Sequence, residues 1–284
     1  MTDDRFAADA LFARAIAERA GHIQFERYER VGAIEHKSSK DVVTEIDHLC
    51  EALIIGAIHE RFPTDGILAE ESGAHHGKSQ ARAKHEKGAA AEETARSLAS
   101  GRTWIIDPLD GTVNYANGIP FFCVSVGLVV DGHPAAGAVH DPMRGETFWA
   151  TADGPAMLGD RVITASTKAE LNDCVIQMAL GGRAAATRGR AVRRAVRITR
   201  SMGSSALGLA YVANGRFDAF IQSGGMSAWD VAAAGLIAER GGAIVTDMTG
   251  GPWFDVSKAS RGFGALAAPA SHHAELLRLT AEPG

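Results

Sequence analysis

Two aspartates three residues apart form the centre of the hexapeptide at residues 107–112, Asp-Pro-Leu-Asp-Gly-Thr, which follows the apolar residues 104–106. The apolar run predicts a buried strand that ends near the first aspartate. Both carboxylates, a glycine and a hydroxyl then lie close together. Carboxylate oxygens are the ligands that Mg²⁺ prefers, and free N–H groups at the start of a helix bind phosphate. The hexapeptide therefore predicts a metal-assisted phosphate site.

Three further acidic residues lie at the edges of predicted elements. Glu70 follows the short apolar segment 66–69, Asp230 is at the start of a predicted helix, and Asp47 is in the first turn of another. Three of the acidic residues also have an ordinary alternative: Asp230 as a first-turn helix residue, Asp110 as a turn residue and Glu70 as a surface acid. As a converging set the carboxylates would repel one another and their pKa values would rise. Two or three Mg²⁺ ions would remove that repulsion, so the set favours a metal site.

Hydrophobic spacing predicts the elements that must position these residues. Helices are predicted at residues 5–30, 45–61, 188–199, 204–213, 229–240 and 271–280. Strands are predicted at residues 66–69, 104–107, 121–130, 135–140, 146–150, 174–179, 217–222, 243–245 and 263–267. Asp131-Gly132 between two apolar runs predicts a hairpin. Residues 72–102 contain only one large apolar side chain, Leu98, and are predicted to be an excursion that is either a lid or a passive loop. The pattern indicates a two-part α/β chain in layers.

The whole chain has 284 residues, 46% hydrophobic residues and a net charge of −5. This charge argues against nucleic acid and anionic membranes as partners. Cys50, Cys123 and Cys174 have no CxxC spacing, which favours reduced thiols in a cytoplasm. The longest apolar run, at residues 124–130, is too short to span a bilayer, and the acidic N-terminus is unlike a signal peptide. We therefore expect a cytoplasmic protein without a membrane partner.

The chain resembles the inositol monophosphatase family of Mg²⁺-dependent, lithium-sensitive phosphatases. The segments that carry the resemblance occur in family order at residues 41–47, 69–72, 104–115, 203–206 and 229–235. The resemblance implies an α/β fold, the layered α-β-α-β-α sandwich of the inositol monophosphatase and fructose-1,6-bisphosphatase type. It implies an N-terminal part, residues 1–155, with the hexapeptide, and a C-terminal part, residues 156–284, with Asp230. It also implies a homodimer.

The resemblance further implies roles for the acidic residues. Glu70, Asp107 and the carbonyl of Leu109 would hold a first Mg²⁺ ion. Asp107, Asp110 and Asp230 would hold a second, and Glu70 would contribute to a third. The catalytic set would be Glu70, Asp47 and Thr112, with Thr112 linked to Asp47 and positioning the attacking water. Substrate contacts would come from Asp110, Gly111, Thr112, Gly203, Ser204, Ser205, Gln222 and Asp230.

The implied activity is hydrolysis of a small polyol phosphate, myo-inositol monophosphate first, by metal-activated water. Gln222 stands where the family has a glutamate that contacts a ring hydroxyl, and a glutamine lacks that charge. Histidinol phosphate, a sugar phosphate or a 3′(2′),5′-bisphosphate nucleotide therefore stay open as substrates. Either Lys37 or Lys40 takes the place of the family lysine.

Two other features of the sequence each allow a functional interpretation and an ordinary structural one. A basic run could bind RNA or a protein in a regulatory role with secondary catalysis, but a solvated helix face is favoured. Its members are Arg188, Arg190, Arg193, Arg194, Arg197 and Arg200. His75, His76 and His85 could bind metal but lack a ligand spacing, so ordinary loop histidines are favoured.

Overall fold

The computed structural model describes residues 4–28, 34–36, 42–75, 101–182, 185–256, 258 and 260–281. Within these residues there are seven α-helices and fifteen strands. The helices are α1 Ala7–Arg27, α2 Glu45–Arg61, α3 Thr112–Ala116, α4 Ala185–Ala195, α5 Ser205–Val212, α6 Ala228–Arg240 and α7 Ala270–Thr280. The strands before the hexapeptide are β1 Ile34–His36, β2 Val42–Thr44, β3 Gly66–Ala69 and β4 Gly73–His75. Those that follow are β5 Arg102–Asp110, β6 Cys123–Val130, β7 His133–Asp141, β8 Glu146–Thr151, β9 Met157–Leu158, β10 Arg161–Val162, β11 Val175–Ala179, β12 Ile198–Arg200, β13 Ala219–Met226, β14 Ile244–Thr246 and β15 Phe263–Ala268.

Two large sheets alternate with three helical layers, and β1 pairs with β2 in a separate two-stranded sheet. The larger sheet has the order β10-β9-β8-β7-β6-β5-β3-β4, and the smaller has the order β12-β11-β13-β15-β14. Helices α1 and α2 cover the outer face of the larger sheet, α5 and α6 lie between the sheets, and α4 and α7 cover the smaller sheet. The predicted α-β-α-β-α sandwich is confirmed. The large sheet continues past residue 155 to Val162, and the division into parts at 155 stays a prediction.

Helix α6 lies directly on the larger sheet because the sheet residues beneath it are glycines. A Cβ built on Gly137 would lie 2.7 Å from the Cβ of Ala233, and one on Gly127 would lie 3.0 Å from the backbone nitrogen of Ala233. Real side chains there would push the helix outward. The two glycines therefore set the depth at which α6 presents its first turn, which contains Asp230.

Several predicted elements are confirmed with shifted ends. The hairpin is present between β6 and β7, with both turn residues at positive φ, Asp131 at 49° and Gly132 at 82°, as a two-residue turn of this kind requires. Glu70 follows β3 as predicted. The prediction that a strand ends at Asp107 is wrong, because β5 continues to Asp110. In the predicted excursion, Gly73–His75 pairs with β3.

The prediction of one helix over residues 188–199 is wrong. Helix α4 ends at Ala195, and Ile198–Arg200 forms β12 at the edge of the smaller sheet. The backbone of β12 pairs in parallel with β11, with Ile198 opposite Val175, so sheet pairing overrides helix propensity. Arg188 is also not part of a solvated face, because it is buried and its Nη2 donates to the carbonyl of Gly181 at 2.7 Å.

Some predictions fall outside the described residues, namely those on Lys37, Lys40, His76, His85 and the lid or loop over 76–100. All three cysteines are buried and free, which agrees with the predicted reduced thiols. Among the described residues, no helix has the length and apolar character needed to cross a bilayer.

Candidate active site

Two parallel neighbouring strands bring Glu70 beside Asp107. Ala69 at the end of β3 pairs with Ile106 of β5. The backbone N–H of Glu70 then donates to the carbonyl of Ile106 at 3.2 Å. Because the carboxyl ends of parallel strands meet at one edge of a sheet, Glu70 lies next to the acidic part of β5.

A β-bulge places the two aspartates of the hexapeptide on the same side of β5. Asp107 pairs with Ser125 and Asp110 with Cys123, so three steps along β5 match two along β6. Without this extra residue the strand period of two would direct the two carboxylates to opposite faces. Inside the bulge, the backbone N–H of Leu109 donates to Asp107 Oδ1 at 3.0 Å. The bulge thus makes a paired acidic site from a spacing that a regular strand would separate.

Gly111 turns the chain from β5 into α3. Its φ is 99°, and a Cβ would lie 3.0 Å from the carbonyl oxygen of Phe121, so glycine is favoured by conformation and by space. The hydroxyl of Thr112, the first residue of α3, donates to the carbonyl of Leu109 at 2.9 Å. This contact keeps the Thr112 hydroxyl and the Leu109 carbonyl close together beside the aspartates.

Asp110 is fixed by the start of α5. Its Oδ2 accepts hydrogen bonds from Ser204 Oγ at 2.5 Å and from the backbone N–H of Ala206 at 2.7 Å. Ser204 Oγ also accepts from the N–H of Leu207 at 3.3 Å, as an N-cap does. A carboxylate at a helix N-terminus is stabilised by the unpaired N–H groups and the helix dipole. The Ser204 hydroxyl is therefore directed at Asp110.

Asp230 comes from the opposite side, in the first turn of α6. The backbone N–H of Ser227 donates to Asp230 Oδ2 at 2.6 Å, which forms a capping box with Ser227 as N-cap. This bond fixes the carboxylate against its own helix. The residue's predicted place at a helix start is confirmed.

The three aspartates converge. One carboxylate oxygen from each of Asp107, Asp110 and Asp230 lies within 4.8 Å of the others, and Asp107 is 2% exposed. Burial, followed by the charges of Glu70, Asp110 and Asp230, raises the pKa of Asp107 well above its usual range. Burial and then Asp110 do the same to the pKa of Asp230. For Asp110, burial raises the pKa while the Ser204 hydrogen bond opposes the rise.

This charge arrangement fits a divalent cation. Burying several carboxylates without counter-ions is unfavourable, and an all-oxygen donor set suits hard cations such as Mg²⁺. The cluster therefore meets the chemical requirement for the predicted metal. The ligand roles of Glu70 and of the Leu109 carbonyl stay predictions.

The other predicted site residues have contacts of their own. Asp47 is buried in α2, and its charge adds to the rise in the pKa of Asp107; its link to Thr112 stays a prediction. Ser205 Oγ donates to Gln222 Oε1 at 3.1 Å, and Gln222 Nε2 donates to the carbonyl of Gly224 at 3.3 Å. Gln222 lies at a register shift in β13.

Gly203 packs against the side chain of Asn114. The sequence predicted no role for Asn114, although this residue lies in the matching segment 104–115. Asn114 Nδ2 donates to the carbonyls of Phe121 and Met202, both at 2.7 Å. A Cβ on Gly203, whose φ is 83°, would lie 2.9 Å from the Asn114 amide. Asn114 thus ties α3 to the loop that leads into α5. The match of residues 104–115 to the family was the sequence feature that could have indicated a role for Asn114.

Arg261 is a second residue near the site for which the sequence predicted no role. Its backbone has φ 62°, which is unusual for a non-glycine residue. Its N–H donates to Ser227 Oγ at 3.0 Å, and its carbonyl accepts from the N–H of Gly225 at 3.1 Å. Its charge lowers the pKa of Asp230, against the rise due to burial. No spacing in the sequence connects Arg261 with Asp230.

The five-layer fold and its buried carboxylate cluster define an α/β protein with a donor set for divalent cations. The sequence profile of the inositol monophosphatase family matches residues 8–282, and the chain belongs to this family. The family is Mg²⁺-dependent, its members act on small phosphorylated substrates, and membership supports a phosphatase activity.

Three relatives illustrate the similarity. The chain is 33% identical to the inositol monophosphatase of Mesembryanthemum crystallinum over 241 residues, 82% of this chain and 83% of the relative. It is 35% identical to the Nus factor SuhB of Salmonella typhimurium over 244 residues, 83% of each chain. The crystal structure of the extragenic suppressor protein suhB from Bartonella henselae superposes with a TM-score of 0.84 at 30% identity, covering 98% of this chain and 100% of that one.

Proposed function

We propose that the protein is a Mg²⁺-dependent phosphomonoesterase that hydrolyses a small polyol phosphate, myo-inositol monophosphate first. The observation that carries the proposal is the convergence of Asp107 and Asp110, both buried, with the half-buried Asp230, their carboxylate oxygens lying within 4.8 Å of one another. Such a set is unfavourable without cations and suited to two or three Mg²⁺ ions. Family membership supports the phosphatase class.

The metal ligands in this proposal are Asp107, Asp110 and Asp230, with Glu70 and the Leu109 carbonyl completing the set. When bound, the metal supplies Lewis acidity that activates water and neutralises phosphate charge. The chain's own contribution is geometric: the bulge and the two helix starts hold the carboxylates in place before a substrate arrives. Preorganised groups of this kind cost little reorganisation during reaction.

The phosphate would lie against the backbone N–H groups of Gly111 and Thr112. The Thr112 hydroxyl, held at 2.9 Å from the Leu109 carbonyl, would position the attacking water, with Asp47 as its second partner. Ser204 acts on Asp110, since its hydroxyl already bonds that carboxylate. Gly203, Ser205 and Gln222 would face the alcohol. No covalent phosphoenzyme is proposed.

The decisive experiment measures phosphate release from inositol 1-phosphate, histidinol phosphate and 3′-phosphoadenosine 5′-phosphate in parallel, with Mg²⁺ and with EDTA. We expect Mg²⁺-dependent turnover of the first substrate and its loss in Asp107→Asn. Asp160→Asn is the matched control, because Asp160 is exposed and pairs only with Arg14 among the described residues. Turnover that persists in EDTA or in Asp107→Asn contradicts the proposal.

One observation favours a substrate with an additional anionic group, such as the bisphosphate nucleotide. Arg261 is exposed, and its charge acts on Asp230. Nearby Gln222 is neutral where a glutamate would repel an anion. Preferred turnover of the bisphosphate nucleotide in the same assay would establish this candidate over inositol phosphate.

Another observation favours a regulatory role beside catalysis. Five exposed arginines of α4, β12 and the turn between them form no ion pair with any residue that the structure describes: Arg190, Arg193, Arg194, Arg197 and Arg200. Unpaired cations on an acidic protein suit an anionic partner, protein or RNA. One relative is named a Nus factor. A co-purifying partner lost in the Arg193→Gln/Arg194→Gln variant, with phosphatase activity kept, would support this role; an unchanged partner set would argue against it.

Two further proposals follow from the family. The protein would act as a homodimer in the cytoplasm. Sedimentation of the purified chain would measure the first, and fractionation of cells the second.

A further inference from the structure

Gln24 is a buried polar residue that follows a row of buried alanines on one face of α1. It lies near the end of α1, on the face that contains Ala13, Ala17 and Ala20, and its exposed fraction is 0%. Its Nε2 donates to the carbonyl of Pro108 at 2.7 Å. Its Oε1 is buried and has no hydrogen-bond partner among the described residues. Since a buried amide without full pairing is unfavourable, packing alone does not account for a glutamine here.

The bond holds the part of β5 that sheet pairing leaves unfixed. Pro108 and Leu109 form the bulge and have no register partner on β6. Proline has no N–H with which to anchor itself. Without Gln24 the buried Pro108 carbonyl would lose this donor. With it, the Pro108 carbonyl faces α1, and the next carbonyl, that of Leu109, faces the Thr112 hydroxyl.

A second bond joins Gln24 to the other side of the turn. The Tyr115 hydroxyl of α3 donates to the backbone carbonyl of Gln24 at 2.9 Å. That carbonyl belongs to the last turn of α1, where carbonyls have no partner within the helix. Gln24 therefore contacts both arms of the acidic turn, the strand before Asp110 and the helix after Gly111.

We propose that Gln24 is a positioning residue for the metal site: by holding the Pro108 carbonyl and, through Tyr115, helix α3, it fixes the orientation of the Leu109 carbonyl and of the two aspartates that flank it. The inference rests on the proposed function only in requiring that these groups bind a divalent cation. Groups that orient metal ligands typically change metal affinity by about 10–100-fold when they are removed.

The test is a Mn²⁺ titration of the full chain followed by electron paramagnetic resonance, with Mn²⁺ as the probe for the Mg²⁺ site. We expect Gln24→Met, which keeps length and removes the donor, to weaken Mn²⁺ binding about tenfold. The kcat measured at saturating Mg²⁺ should return towards the wild-type value. A purely structural role would lower the melting temperature without moving the metal dependence.

Thr280→Val is the matched control, because Thr280 is 2% exposed, its hydroxyl bonds the Leu276 carbonyl, and it lies far along the chain on α7. Its Mn²⁺ affinity should equal that of the wild type. Tyr115→Phe removes only the second bond and should weaken Mn²⁺ binding less than Gln24→Met does. If Gln24→Met does not fold, Tyr115→Phe decides.

Wild-type Mn²⁺ affinity in a folded Gln24→Met protein overturns the inference, as does wild-type affinity in Tyr115→Phe when that variant decides. A wild-type protein that binds Mn²⁺ but releases no phosphate from any substrate refutes the proposed function and leaves the Gln24 result standing. A wild-type protein that binds no Mn²⁺ overturns both.

Discussion

At the scale of single residues, the three central aspartates share one pattern of support. In each, one carboxylate oxygen accepts a hydrogen bond from a backbone N–H close to the site: Leu109 for Asp107, Ala206 for Asp110 and Ser227 for Asp230. A bond of this kind fixes the plane of the carboxylate without adding a counter-charge. The negative charge of the cluster is therefore oriented but not neutralised, which leaves neutralisation to cations.

Asp107→Asn should raise the melting temperature of the metal-free protein while abolishing stabilisation by Mg²⁺. The pKa of Asp107 is raised in the fold by burial and then by its acidic neighbours. When the pKa of a carboxyl is higher in the folded protein than in the unfolded chain, the unfolded chain releases the proton first as pH rises. The free energy of unfolding therefore falls as pH rises above the unfolded-state pKa. An amide carries no such penalty. Thermal unfolding at neutral pH in EDTA and in Mg²⁺ measures both effects.

The control for this prediction is Asp160→Asn, whose side chain is exposed at the surface. It should leave both melting temperatures unchanged. An Asp107→Asn protein that is less stable than the wild type in EDTA, yet still stabilised by Mg²⁺, would contradict the interpretation of the cluster as a cation site.

Arg261→Gln should reduce the preference for substrates that carry a second anion. Two substrates isolate the effect, because 2-phosphoglycerate and glycerol 2-phosphate share the ester and differ in a carboxylate. The ratio of their kcat/KM values should fall about fivefold to tenfold in Arg261→Gln, the range for one partly exposed charge pair of about 1 kcal/mol. Arg278→Gln, which removes an exposed arginine paired with Glu275, is the control. An unchanged ratio in Arg261→Gln would remove this residue from substrate recognition.

Asp107 and Asp110 were predictable from the sequence because their spacing is local, but the residues that support the site were not. Asp107 and Asp110 lie in one hexapeptide, whereas Gln24 contacts Pro108 across 84 positions and Arg261 contacts Ser227 across 34. Contacts over such separations depend on how layers pack. No local pattern of residue types encodes them.

At the scale of elements, the site depends on irregularities in regular structure. Because of the bulge in β5, Asp107 and Asp110 lie on the same face of the strand although they are three residues apart. The starts of α5 and α6 direct N–H groups at Asp110 and Asp230. The bulge has a sequence signal in Pro108, which weakens a central strand, but proline alone does not fix the direction of the bend. No sequence feature indicated that α4 ends before residue 198, because β12 forms only where β11 is present to pair with it.

Gly137→Ala should destabilise the protein by about 1–3 kcal/mol, the usual cost of overpacking a close contact, and weaken stabilisation by Mg²⁺. The added methyl group would meet Ala233 of α6 at 2.7 Å. The helix must then move away from the sheet and carry Asp230 with it. Denaturant unfolding with and without Mg²⁺ measures the two effects separately.

Gly56→Ala provides the matched control, because a Cβ at Gly56 in α2 has no atom within 4 Å. Replacing a glycine inside a helix without a clash should stabilise by about 0.5–1 kcal/mol. If Gly137→Ala proves as stable as Gly56→Ala and binds Mg²⁺ normally, close packing of α6 does not set the position of Asp230.

At the scale of the whole molecule, the site lies where the layers meet. Glu70, Asp107 and Asp110 come from the larger sheet, while Asp230 and the Ser204 hydroxyl come from the helical layer between the sheets. Stability of the layers and geometry of the site are therefore linked. The same layering also buries titratable groups that have no part in the site, among them His140, a residue of β7 that packs against α1.

His140 should make the protein sensitive to acid. Its imidazole packs against Gly21, where a Cβ would lie 2.2 Å from Cδ2, and its Nδ1 lies 2.9 Å from the Thr147 hydroxyl, which donates to Glu18 at 2.8 Å. Burial lowers its pKa from 6.5 to about 4, against a smaller opposite effect of Glu18. The unfolded chain therefore binds a proton at higher pH than the folded protein does, and stability falls as pH falls from 6.5 towards about 4.

The full effect of this shift is roughly 3 kcal/mol, and His140→Gln, which does not titrate, should remove it. The measurement is the difference between the free energies of unfolding of the wild type and the variant across this pH window. The contributions of all other titrating groups cancel in this difference. His22→Gln is the control, because the His22 side chain is 71% exposed and should leave the slope unchanged. A difference curve for His140→Gln that stays flat through the window would show that the buried imidazole is not the source of acid sensitivity.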